Sequence, residues 1–199
     1  CAWVDMKETG VDVLISAPQK GWSSTPCAGL VMMSERALAR LEETTSDSFS
    51  ADLGKWRAIM AAYEGGGHAY HATMPTDGLT AFRDTMAETR DYGFERLRDA
   101  QWELGTKVRA ALRLRGIASV AAEGYGAPGV VVSYTDDPGV QNGSKFGALG
   151  VQIAAGVPLQ VGEPEGFSTF RLGLFGLDKL IDVDATVARL EAALDKAIG

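Results

Sequence analysis

Two short apolar runs, residues 11–16 and 28–34, flank a polar loop in the stretch DVLISAPQKGWSSTPCAGLVMMS. Nearly continuous apolar runs of this length predict strands buried on both faces, as in a parallel sheet. Ser34 reads as the N-cap of a helix that begins ERALARLEE, because its hydroxyl can accept from a free amide of the first turn. The polar stretch TTSDSFSADLG predicts a loop, and KWRAIMAAYEG a second helix that ends at Gly65, Gly66 and Gly67. From Thr76 to Arg115 the apolar residues Leu79, Phe82, Met86, Phe94, Leu97, Leu104, Val108 and Leu112 recur mostly at helical spacings. That pattern predicts one long amphipathic helix able to bridge two domains.

Beyond it the period changes. GVVVSY, VQIAAG and TFRLGLFG predict strands, VQNGSKFGAL a short helix, and residues 183–198 a closing amphipathic helix. These make a small α/β domain. No internal repeat or low-complexity tract interrupts the pattern. A strand at 11–16 is an odd start for a parallel sheet, since parallel neighbours need a preceding crossover. With Cys1 rather than Met in first place, the sequence is expected to be part of a longer protein.

Composition narrows the partners. The chain has 199 residues, 46% hydrophobic and 23% charged, enough to bury a core. Its formal charge is -7, its pI about 4.9, and it carries no Lys/Arg block, which argues against a nucleic-acid partner. No apolar run approaches the roughly 18 residues that cross a bilayer, so no membrane partner is expected. Cys1 and Cys27 form neither a disulfide framework nor a metal-ligand pattern, and the expected compartment is the cytoplasm. His68 and His71 have no acidic neighbour at metal-ligand spacing and read as packing or loop residues.

Two cations stand out. Lys20 falls in the turn between the first two strands, where, taken alone, it is a surface turn lysine. Arg171 interrupts the apolar strand TFRLGLFG. An unpaired guanidinium there is costly, so Arg171 calls for an anion, either a structural carboxylate or that of a ligand. Gln19, beside Lys20, is a neutral donor in the same loop.

Four segments in order resemble the class V aminotransferases, pyridoxal-phosphate enzymes of fold type I, and particularly their alanine–glyoxylate and serine–glyoxylate branch. SAPQKGWSSTPCAGLVMMS resembles the cofactor-lysine segment, and YHATMP a Tyr-His-x-Thr-x-Pro segment. GLTAFRDTMAETRDYGFERLRD resembles the interdomain helix, and FRLGLFG the substrate-arginine strand. The resemblance covers nearly the whole chain and implies an α/β fold: the end of the large mixed-sheet domain, residues 1–92, and a small C-terminal domain, residues 93–199. The interdomain helix would run from about 77 to 115.

The resemblance also implies roles. Lys20 would hold pyridoxal phosphate covalently and then move the proton at the substrate's α-carbon, so the site needs its amine deprotonated and aimed. Gln19 would contact the cofactor phosphate. Tyr70 and Thr73 would donate to the phosphate of the neighbouring subunit, which makes a homodimer with shared sites. Arg171 would grip the substrate's α-carboxylate with its planar fork. No metal is implied. Pro18 departs from the serine that relatives often place before Gln-Lys, which removes a hydroxyl and stiffens the turn. The family's phosphate-cradling glycine turn, ring-stacking residue and pyridine-nitrogen Asp would lie upstream of Cys1.

The implied reaction is amino transfer from a small amino acid, alanine or serine, to a small 2-oxo acid, glyoxylate or pyruvate. A lyase, a desulfurase or a kynureninase-like hydrolase of the same class is the alternative. Neither Cys1 nor Cys27 fits a desulfurase's mobile-loop cysteine. A further alternative makes this chain by itself a non-catalytic dimerisation module.

Overall fold

A single helical turn, α1, Met6–Thr9, precedes strand β1, Val13–Ser16, and strand β2, Leu30–Met33. The two strands pair antiparallel, Val13 opposite Met33 and Ser16 opposite Leu30. The computed structural model describes residues 3–199. The expectation of strands buried on both faces is therefore corrected: Val13, Ile15 and Met32 are exposed, while Leu14 and Met33 are half-buried. Alternate side chains point to opposite faces of a strand, so an apolar run does not by itself say that both faces are covered.

Helix α2, Glu35–Glu42, starts where the sequence placed it. The Ser34 hydroxyl accepts from the Ala37 amide at 3.2 Å and donates to Asp12 Oδ1 at 2.6 Å. Asp12 also pairs with Arg36, which ties the cap to the root of β1. These groups hold the Asp12 carboxyl below its usual range, Arg36 chiefly and Ser34 next. Helix α3, Leu53–Glu64, is capped by Asp52, whose carboxylate accepts from the Lys55 amide. The Trp56 indole donates to the Ser50 carbonyl, and His71 lies between the rings of Phe49 and Trp56, fixing the loop that precedes α3.

The single helix expected from Thr76 to Arg115 is two: α4, Thr76–Tyr92, and α5, Phe94–Leu114. Gly93 separates them at φ +100°, a conformation that a residue with a Cβ rarely adopts. Apolar spacing continues across the break, so periodicity alone concealed it.

The chain forms two compact units. One comprises residues 4–20 and 24–84; the other comprises Trp3, residues 21–23 and residues 85–199. The second unit holds a three-stranded antiparallel sheet in the order β3–β5–β4, built from β3 (Val130–Tyr134), β4 (Ala154–Ala155) and β5 (Thr169–Gly173). Short turns α6, Pro138–Gln141, and α7, Ser144–Gly147, replace the one helix expected at VQNGSKFGAL. The break falls at Gly143, which is left-handed at φ +81°. After β5 come α8, Leu177–Leu180, and the closing helix α9, Val183–Ile198. Asp182 caps α9 through the Ala185 amide.

The core of this unit joins Leu104, Val108 and Leu112 of α5 to Val131, Phe170 and Leu172 of the sheet and Leu194 of α9. Each is at most 4% exposed. Burying a side chain of this size contributes about 1.5 to 3 kcal/mol, so this cluster is the principal support of β5.

Candidate active site

Lys20 sits in a closed turn. Its amide donates to the Ala17 carbonyl at 3.3 Å, and the Ser24 amide donates to the Pro18 carbonyl at 3.0 Å. Pro18 is fully buried beneath the turn, while Gln19 and Lys20 are exposed upon it. A buried proline with fixed φ gives the turn a rigid floor. The Lys20 amino group makes no hydrogen bond or ion pair among the described residues.

Residues 21–23, which follow at once, cluster with the other unit. The Trp22 ring meets Phe94 edge-on at 6.4 Å. Ser23 holds a left-handed φ of +54° against Gly176, where a Cβ would come within 2.8 Å of the Ser23 hydroxyl.

Tyr70 and Thr73 belong to the same unit as Lys20 and share the loop before α4. Their hydroxyl oxygens are 3.5 Å apart and both side chains are exposed. Cys27 is half-buried, close to Gly78, where an added Cβ would fall 2.7 Å from the cysteine Cβ. Cys1 lies outside the described residues.

Arg171 stands on β5, the central strand of the other unit, and is half-buried. Its Nε–H donates to the Ala155 carbonyl at 2.8 Å. No carboxylate pairs with it among the described residues. The partner is thus a main-chain carbonyl, which satisfies one donor and leaves the positive charge without a counter-ion. The Ala155 contact is a feature the sequence analysis did not find. Its only signal was the run of small residues in VQIAAG.

The structure thus puts Gln19 and Lys20 on one turn, Tyr70 and Thr73 on one loop, and Arg171 on the sheet of the other unit. Two surface clefts lie elsewhere. One, of about 290 Å³, is bordered by Ile117, Tyr134, Asp136 and Phe170. The other, of about 460 Å³, is bordered by Val13, Met33, Arg36 and Leu41. None of the five candidate residues lines either cleft. Among the described residues no three His, Cys, Asp or Glu side chains converge as metal ligands, and no helix is long and apolar enough to cross a membrane.

The groups present fit pyridoxal phosphate as donors. An unpaired amine suits its aldehyde, and the amide of Gln19 with the hydroxyls of Tyr70 and Thr73 suits a phosphate.

The chain is similar in sequence and in fold to known proteins. The chain is 32% identical over 116 residues to alanine–glyoxylate aminotransferase of Felis catus, covering 56% of this chain and 27% of that protein. It is 25% identical over 193 residues to the small subunit of a soluble hydrogenase from a Synechococcus species, covering 96% of this chain and 48% of that protein. The crystal structure of an alanine–glyoxylate aminotransferase from a Nostoc species superimposes with a TM-score of 0.78 at 20% identity, over 100% of this chain and 51% of that one. In each comparison the chain spans about half of the other protein or less. No family model matches.

The fold is that of the C-terminal portion of a fold-type I pyridoxal-phosphate aminotransferase. Within that class, the resemblance to the alanine–glyoxylate branch read from the sequence is found again in both the sequence and the structural comparison.

Proposed function

We propose that this chain supplies the lysine, the substrate arginine and the phosphate-binding hydroxyls of a pyridoxal-phosphate aminotransferase. The reaction is transfer of an amino group from alanine or serine to glyoxylate or pyruvate. The observation that carries this reading is that both cations named by the sequence, Lys20 and Arg171, lack an acidic partner among the described residues. The amino acid and oxo acid named for the similar proteins are of the size and charge that one amine and one guanidinium would serve.

When bound, pyridoxal phosphate supplies the electron sink that labilises bonds at the substrate's α-carbon. The remaining work falls to side chains. Lys20 would hold the cofactor, and its amine would carry the proton at the substrate's α-carbon. Arg171 holds the α-carboxylate with its planar fork. Gln19 donates to the phosphate, and Tyr70 and Thr73 donate to the phosphate bound by a second subunit of a cytoplasmic homodimer.

The test is reduction of the cofactor-loaded protein with borohydride, peptide mapping and a screen of amino donors. Label on Lys20 and oxo-acid-dependent amino transfer are expected. Label on another lysine, or sulfide release or cleavage without an oxo acid, would overturn the reading.

A further inference from the structure

We infer that the β4 edge is the positioning element for the substrate carboxylate: the Ala155 carbonyl aims the Arg171 guanidinium, and Gly156 is the residue that lets β4 come close enough to do so. This rests on the role of Arg171 proposed above.

A guanidinium offers two kinds of paired donor edge, one formed by Nε–H with a neighbouring Nη–H and one formed by the two Nη groups. The Ala155 carbonyl occupies Nε–H at 2.8 Å. The edge left for a bidentate carboxylate is therefore the end-on pair of Nη groups. An arginine held this way presents a fixed fork, whereas a free one must be ordered by the substrate at a cost in side-chain entropy.

Strand β4 has only two residues, Ala154 opposite Arg171 and Ala155 opposite Phe170. So short a ladder needs another restraint, and Gly156 meets that need. A Cβ at Gly156 would fall 1.9 Å from the Thr169 carbonyl oxygen, 2.2 Å from its hydroxyl and 2.4 Å from its carbonyl carbon. Two of those atoms are backbone, and Thr169 is 2% exposed in the core sheet. They cannot give way, so a side chain at 156 must lift β4 from β5 and withdraw the Ala155 carbonyl from Arg171.

Proton exchange at Arg171 Nε–H, followed by ¹⁵N NMR on the full chain, tests the contact directly. Exchange slower than at the exposed Arg113 is expected, and it should stay slow when the cofactor-loaded protein binds alanine, because the carboxylate takes the other edge. Equal exchange rates for Arg171 and Arg113 would overturn the inference without any variant. In the cofactor-loaded enzyme, Gly156→Ala should raise KM for the amino donor about tenfold and leave kcat within about twofold, the signature of lost binding rather than lost chemistry. Gly147→Ala, where an added Cβ meets nothing within 4 Å, should leave both unchanged. A folded Gly156→Ala protein with unaltered KM, alongside a raised KM in Arg171→Ala, would overturn the positioning role alone. An unaltered KM in Arg171→Ala would overturn the carboxylate assignment and the positioning role with it.

Discussion

The side-chain amide of Gln101, fully buried on α5, donates to the carbonyl of Leu174 at 3.2 Å, three residues beyond Arg171. The same amide donates to the Pro128 carbonyl at 3.1 Å, so one residue ties the ends of β5 and of the segment leading into β3 to the helix behind them. Replacing Gln101 by Leu leaves two carbonyls with a lost donor. It should cost about 2 kcal/mol of stability. Chemical denaturation of the two proteins measures this, and an unchanged midpoint would show that the amide is dispensable.

Lys20 should be required for chemistry and not for folding, because its turn is closed by main-chain bonds from Lys20 to Ala17 and from Ser24 to Pro18. Lys20→Ala in the cofactor-loaded protein is expected to abolish borohydride labelling and reduce turnover at least about a hundredfold. The melting temperature without cofactor should stay the same, which a thermal scan checks.

Arg171→Ala should weaken amino-acid binding at least about tenfold, as expected when a desolvated bidentate pair loses one partner. Arg171→Lys should recover little, because an ammonium lacks the planar fork. Spectral titration of each variant with alanine distinguishes this from a structural role, which would lower the melting temperature and leave the titration of the folded protein unchanged.

If Tyr70 serves the partner's cofactor, two defective variants should complement each other. Mixing Lys20→Ala with Tyr70→Phe forms hybrid dimers in which one site has Lys20 from one subunit and the Tyr70 hydroxyl from the other. Cofactor affinity above that of either variant by itself is expected on mixing and refolding. Simple averaging of the two would place Tyr70 in its own subunit's site.

Asp137 should contribute to acid sensitivity. The Lys145 ammonium beside it, then the Val140 and Gly139 amides, hold its carboxyl below the ordinary value of 3.8. A group whose pKa is lowered by folding stabilises the fold fully above its ordinary value, and that contribution is lost as pH falls through the lower, folded value. The Asp137→Asn protein should therefore lose less stability than the parent as pH is taken below 3.8. Melting curves across that range would show parallel losses if Asp137 were uninvolved.

The sequence determined what local chemistry can determine. Ser34 capped α2 as its hydroxyl required, and Val183–Ile198 formed the closing helix from its apolar period. Arg171 stood out because a cation in an apolar strand demands an explanation, and Lys20 because it sits in the turn between two apolar runs. What the sequence could not decide depended on atoms brought together from distant positions. The apolar period ran through Gly93, but its φ of +100° divides the helix in two. The first two strands were apolar enough for burial on both faces, yet Ile15 is 72% exposed, because coverage depends on what packs against a strand and not on its own residues. The Arg171 charge asked for an anion, and the fold answered with the Ala155 carbonyl, 16 positions earlier in the chain. Neighbours in sequence fix caps and periods; only the pairing of β4 with β5 could set where that guanidinium points.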